Sequence, residues 1–268
     1  RDVARQKPVV VLKAGRSDEG AKAVSSHTGS LAGSHAAYQA AFKQCGAIEV
    51  YTTTDLLNVS MALDWLRPPN GNRVAIVTNS GGPAALASDS LSTQGLRLAS
   101  IASETQETLR NKLNPAAQTG NPVDMLGGAT ESEYAHALQQ VLNDDSVDMA
   151  LAILVPQALV NPTKVAEAIV QEAKSTEKPV VACLMGDVSI REAHKVLHEH
   201  HVPMVDYPEL TGVMLGALYQ RSKHKPVQKE TINFQTEINK SKASEFFINN
   251  SGKMHWGEAN TREILDVY

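Results

Sequence analysis

The chain has 268 residues, 42% hydrophobic and 20% charged, which is enough to bury one sizeable core or two smaller ones. A formal net charge of -4, with no Lys/Arg block interleaved with aromatic residues, argues against nucleic acid as a partner. No apolar run approaches the roughly 20 residues that span a bilayer, so a membrane partner is not expected either.

The first residues, Arg1, Asp2, Val3, Ala4 and Arg5, lack the apolar stretch of a signal peptide. Cys45 and Cys183 sit in apolar stretches without C-x-x-C spacing, as reduced thiols of a cytoplasmic protein would. Because the chain opens without Met and stops at Tyr268 with no closing signal, a longer polypeptide is expected.

In chain order, Lys7-Pro8-Val9-Val10-Val11-Leu12 predicts a parallel strand buried on both faces. A polar, glycine-bearing stretch from Lys13 to Ser34 follows. Ala36, Ala37, Ala40, Ala41 and Phe42 then recur at helical spacing until Gly46. Ile48 to Tyr51 is the next short strand. Thr54 or Asp55 is expected to cap a helix carrying Leu56, Val59, Met61, Leu63 and Leu66, and Arg67-Pro68-Pro69-Asn70-Gly71 breaks the chain.

Beyond the break, strands are predicted at Val74 to Thr78, Leu96 to Ala99, Met149 to Val155, Pro179 to Leu184 and Pro203 to Val205, separated by helical segments. This alternation predicts an α/β fold, a flavodoxin-like doubly wound parallel sheet over about residues 72–222. Lys223 to Lys240 resembles a linker, and helical patterns return at Lys242 to Ile248 and Glu258 to Val267.

Four segments could carry chemistry. Ser25-Ser26-His27-Thr28-Gly29-Ser30-Leu31-Ala32-Gly33-Ser34 lies between a strand and an alanine-rich helix, where small residues, hydroxyls and backbone N–H groups can meet a phosphate. On chemistry alone two roles are open to His27: a nucleophile, since neutral imidazole is well populated near neutral pH, or a ring that caps a turn. Val74-Ala75-Ile76-Val77-Thr78-Asn79-Ser80-Gly81-Gly82-Pro83 is a strand, a glycine turn and a helix start, without the fingerprint of a dinucleotide site. Gly120-Asn121-Pro122-Val123-Asp124-Met125-Leu126-Gly127-Gly128-Ala129 and Leu154-Val155-Pro156-Gln157-Ala158-Leu159-Val160 fall at neighbouring strand ends or loops.

No metal site is expected. His194 and His198, with His200 and His201 beyond, lack a cysteine or paired carboxylate and read as a solvated helix face. Asp144-Asp145 reads as a loop and Glu131-Ser132-Glu133 as a first helical turn.

The run from Lys7 to Arg16, followed by Ser26 to Gly33, is similar to the phosphohistidine segment of ADP-forming acetyl-CoA synthetases and, more remotely, of the succinyl-CoA synthetase α subunit. The other three segments together resemble the C-terminal ligase domain of the same family, the nucleoside-diphosphate-forming acyl-CoA synthetases. The likeness covers nearly all of residues 7–222 and implies three parts: residues 1–66, the end of a first ligase-CoA domain; 72–222, a second; and 223–268, a linker and the beginning of an ATP-grasp domain.

It further implies that His27 carries a phosphoryl group between an acyl phosphate and a nucleotide. Ser26, Thr28, Gly29, Ser30, Asn79, Ser80, Gly81, Gly82, Asn121, Asp124, Gln157, Ala158 and Leu159 would surround the phosphate or acyl phosphate, with a helix starting at Gln157 pointing at it. The reaction implied is carboxylic acid, CoA and ATP to acyl-CoA, ADP and phosphate, or the reverse. No permanently bound cofactor is implied. The partners are a small carboxylic acid, CoA, ADP or ATP, phosphate, the CoA-binding and ATP-grasp domains of the same protein with Mg2+ at the latter, and a second copy in a homo-oligomer.

The CoA-binding domain and the glutamate that orients the phosphohistidine in the family precede the segment matched here, so full activity is not expected of these residues alone. A rival reading is the synthetase-like, acyl-CoA-sensing region of a protein acetyltransferase, against which the presence of His27 argues.

Overall fold

The computed structural model describes residues 2–28, 34–224, 240–252, 257, 258 and 262. It divides into two compact units, Arg1–Pro226 and Val227–Tyr268.

The first unit opens with α1 (Asp2–Gln6), β1 (Val10–Leu12), α2 (Asp18–Thr28), α3 (His35–Cys45), β2 (Ile48–Val50) and α4 (Thr53–Trp65). β1 and β2 pair in parallel, Val10 opposite Ile48. β1 is less covered than its valines predict, since Val10 and Val11 are partly buried and Leu12 is exposed. Its one paired neighbour among the described residues is β2, and burial on both faces needs more sheet than that.

The polar stretch after β1 holds a helix. The Ser17 hydroxyl accepts the Gly20 N–H at 3.1 Å, its carbonyl accepts the Ala21 N–H at 2.8 Å, and Asp18 and Glu19 occupy the first turn, where acids are favoured. α3 ends at Gly46, whose φ of 76° is the left-handed cap that glycine supplies. α4 starts earlier than expected, capped not by Thr54 or Asp55 but by the Thr52 side chain, which accepts the Asp55 N–H at 3.0 Å.

Past Pro68-Pro69-Asn70-Gly71 come β3 (Arg73–Thr78), α5 (Gly81–Thr93), β4 (Arg97–Leu98), α6 (Ser103–Arg110), β5 (Val123–Asp124), α7 (Glu131–Asn143), β6 (Met149–Leu154), α8 (Pro162–Lys174), β7 (Val180–Leu184), α9 (Arg191–Glu199), β8 (Met204–Val205) and α10 (Thr211–Lys223). The strands run in parallel in the order β4-β3-β6-β7-β8, and β5 adds to β3 at Val77 and Thr78. Leaving aside the two-residue β5, this is the 2-1-3-4-5 order of a flavodoxin-like sheet.

Both faces are packed, as the continuous apolar runs require. Val74, Ile76, Leu151 and Ile153 point to α5 and α10, while Ala75, Val77, Ala152 and Leu154 point to α7 and α8. At the amino ends of the strands Arg73 forks onto Asp148 with two bonds of 2.8 Å, and a Cβ on Gly71 would collide with that carboxylate. Among the described residues no helix is long and apolar enough to cross a membrane.

The second unit contains α11 (Lys240–Asn249), in which Ala243 and Phe246 are buried. It falls on the predicted pattern from Lys242 to Ile248. Of the linker predicted from Lys223 to Lys240, Lys223 ends α10 and Lys240 opens α11; residues 225–239, and most of the helical pattern from Glu258 to Val267, lie outside the described residues.

Candidate functional site

In a sheet of this order the connections from β3 and β6 leave on opposite faces, and a crevice opens between their carboxyl ends. The last paired residues are Thr78 and Ile153. One wall is the turn Asn79-Ser80 into α5. The other is Val155-Pro156-Gln157, and the segment after β5, Met125-Leu126-Gly127-Gly128, lies alongside.

The start of α5 is open. Ser80 occupies the cap position without a side-chain bond to the helix, and no acidic residue stands in the first turn. Gly81 and Gly82 are exposed, so orphan backbone N–H groups and the positive end of the helix face outward. A Cβ on Gly81 would come within 3.1 Å of the Asp124 Oδ2, and one on Gly82 would meet nothing. Asp124 also accepts the Leu126 N–H at 3.0 Å, which folds the turn after β5; ionised, it has no hydrogen to give a phosphate.

The remaining predicted contacts are distributed differently. Asn79 is buried, and its amide donates to the Val155 carbonyl at 2.8 Å while accepting the Val155 N–H at 2.9 Å. Asn121 accepts from the Ile76 N–H and donates to the Val74 and Ala99 carbonyls, standing in for a missing rung between β3 and β4. Both amides are engaged by backbone and brace the strand ends beside the crevice.

The helix predicted to start at Gln157 starts five residues later. Gln157, Ala158 and Leu159 form an exposed turn closed by Val160 N–H to the Gln157 carbonyl at 3.1 Å. α8 begins at Pro162, where Asn161 accepts from the N–H groups of Thr163 and Lys164 at 3.0 and 3.3 Å. Proline at the first position and asparagine before it set this start. The Gln157 side chain lies over Gly127, its Cδ 3.6 Å from where a Cβ there would be.

On the other predicted segment, the Ser26 hydroxyl donates to the Ala23 carbonyl at 2.8 Å, inside α2. The backbone of His27 and Thr28 forms the last turn of that helix. Their side chains, and all of Gly29 and Ser30, lie outside the described residues.

A residue absent from the sequence reading sits beneath the crevice. Tyr134 of α7 is fully buried, and its hydroxyl donates to the Ile153 carbonyl at 2.7 Å. Burial pushes this phenol well above its ordinary pKa, against the smaller pull of the Asn79 backbone N–H that faces it, and nearby Asp124 raises it further. The hydroxyl thus keeps its proton and acts as a donor. The signal was available: Tyr134 shares the apolar stripe of Ala137, Leu138 and Val141, and a phenol buried there must find an acceptor.

Among the histidines, His198 and His201 flank the Trp65 ring with centroids 5.1 Å away. His194 is partly buried with its Nε2 3.8 Å from Asp206, and that burial lowers its pKa although Asp206 pulls the other way. Glu133 completes a capping box with Thr130 at the start of α7.

Two family models match the chain: a succinyl-CoA ligase-like flavodoxin domain over residues 1–63 and a ligase-CoA domain over residues 74–227. The α subunit of acetate–CoA ligase (ADP-forming) II from Pyrococcus furiosus is 40% identical over 229 residues, covering 84% of this chain and 50% of that protein. The 4-hydroxybutyrate–CoA ligase (ADP-forming) of Nitrosopumilus maritimus is 33% identical over 265 residues, covering 98% of this chain and 38% of that protein. The solved structure of dinucleotide-forming acetyl-coenzyme A synthetase 1 from Candidatus Korarchaeum cryptofilum, in complex with phosphate and ADP, has a TM-score of 0.77 at 32% identity, covering 82% of this chain and 49% of that one. The chain thus spans half or less of the length of each of these relatives.

Proposed function

We propose, for a chain that belongs to the family of nucleoside-diphosphate-forming acyl-CoA synthetases, that it is part of an ADP-forming acid–CoA ligase in which His27 relays the phosphoryl group. The observation that carries this reading is the likeness to acetate–CoA ligases over most of the chain, with a histidine standing in the Ser26-His27-Thr28-Gly29 run.

In the ATP-forming direction a phosphate oxygen attacks the thioester carbonyl and expels the CoA thiolate, leaving an acyl phosphate. A ring nitrogen of His27 then attacks phosphorus and releases the carboxylate. An oxygen of ADP takes the phosphoryl group from the imidazole, which returns to its neutral form. Little covalent work falls to the rest of the chain, whose task is to hold charge in place. The open N–H groups of Gly81 and Gly82, with the Ser80 hydroxyl, suit the phosphate or acyl phosphate, since they donate and carry the positive end of α5. Gln157, Ala158 and Leu159 line the opposite wall as an exposed turn.

In this proposal residues 1–66 and 72–222 are successive ligase-CoA domains, and 223–268 leads into the nucleotide domain. CoA, and ADP or ATP with Mg2+, are held chiefly by the CoA-binding and ATP-grasp domains of the same protein, which is placed in the cytoplasm and associates with itself. The relatives named above are ligases, which gives the acetyltransferase-sensor reading no support.

The test uses the complete protein with radiolabelled ATP and Mg2+, beside a His27→Ala variant. Acid-labile, base-stable label on the parent, and its loss in the variant, is the expected result. Label retained in the variant, or absent from both, would sink the relay.

A further inference from the structure

The glycines that leave the α5 start open have no side chains to hold themselves in place, so something else must fix them. Beyond the Thr78–Ile153 pair, β3 and β6 part company, and a parallel sheet gives no further rungs there. Three side-chain bonds replace them. Asn79 pairs with both backbone groups of Val155 at 2.8 and 2.9 Å, and Tyr134 reaches across from α7 to the Ile153 carbonyl at 2.7 Å. Asn79 is 2% exposed and Tyr134 0%, so neither group meets a ligand. Asn79 stands two residues before Gly81, and Val155 two before Gln157.

Resting on the function proposed above, we infer that Asn79 and Tyr134 are positioning residues: together they clamp the strand ends at the fork and set how far the α5 N–H groups stand from the opposite wall when phosphate binds. The Asn79 amide imitates a peptide group, giving and taking one bond with the same residue, which extends the pairing by one step while the backbone turns away. Tyr134 ties the same step from beneath, where no water can substitute for it. Anion binding by N–H groups depends steeply on their placement, and displacement of an ångström in a reacting array can cost about a hundredfold in rate.

The test is made in the complete ligase with Tyr134→Phe, which removes one oxygen, and Asn79→Asp, which replaces the donor by an oxygen facing the Val155 carbonyl. Expected in both is a fall of at least about tenfold in kcat/KM for inorganic phosphate, with the KM for ADP unchanged. Hydrogen exchange across residues 79–84 should quicken while that across 180–184 stays as in the parent. Parental kinetics toward phosphate accompanied only by a lower Tm would overturn the inference and leave the two groups as packing. If the parent takes no label on His27, the relay reading fails by itself. The clamp is then judged by protection of 79–84 on adding inorganic phosphate: less protection in the variants upholds it, equal protection refutes it.

Discussion

β1 and β3 are both valine-rich, both parallel and both followed by a glycine-bearing segment, yet one is half covered and the other sealed. β3 has β4, β5 and β6 as hydrogen-bonded neighbours and helices on both faces; β1 has β2 among the described residues. Composition makes a strand able to be buried, but neighbours decide whether it is.

The sharpest way to break that contrast is to delete side chains from each sheet. Leu151→Ala in β6, where every residue is buried, should destabilise by about 2–5 kcal/mol, whereas Val11→Ala in the partly covered β1 should cost about 1 kcal/mol or less. Equal shifts in urea unfolding would show that the smaller sheet is as well packed as the larger.

A second difference lies at the strand ends. The amino ends of β3 and β6 are locked by Arg73 on Asp148, and Asp148→Asn should cost about 2 kcal/mol. The Arg73 bond, with its charge, holds the Asp148 carboxyl below its ordinary value despite burial. This contribution is therefore complete above the unfolded-state value of about 4 and is lost as pH falls through the lower folded-state value. Melting temperatures followed through the acid range should converge for parent and variant; a gap constant with pH would contradict the assignment.

The smallest test compares caps. Thr130→Ala removes a full capping box at α7 and Thr52→Ala a single bond at α4, each worth about 1 kcal/mol, with α7 losing more. A thermal shift ranked the other way would mean that the second bond of the box contributes nothing.

The main strands were legible because runs such as Val74 to Thr78 and Met149 to Leu154 are apolar on both faces and bounded by breakers. α2 was obscured because its capping residues are polar and glycine sits in its first turn, so it resembles a loop in composition. The crevice could be read from glycines at a strand end, but the division of labour within it could not. Asn79 and Asn121 read as ligand contacts, whereas their amides are spent on Val155, Ile76, Val74 and Ala99, up to 76 residues away. A short sequence window cannot show which distant carbonyl lacks a partner.

α10 is buried on more than one side. Met214, Leu215 and Leu218 belong to the core of the larger sheet, while Ala217 packs with Ile48, Val50 and Val59 of the smaller one. Gly212 and Gly216 let it press against Ser90 of α5 and Gln94 just past it, at the end of that helix away from the crevice. It is a party wall between two rooms: a load placed on either is carried into the other, and neither can be redecorated without the tenant next door noticing.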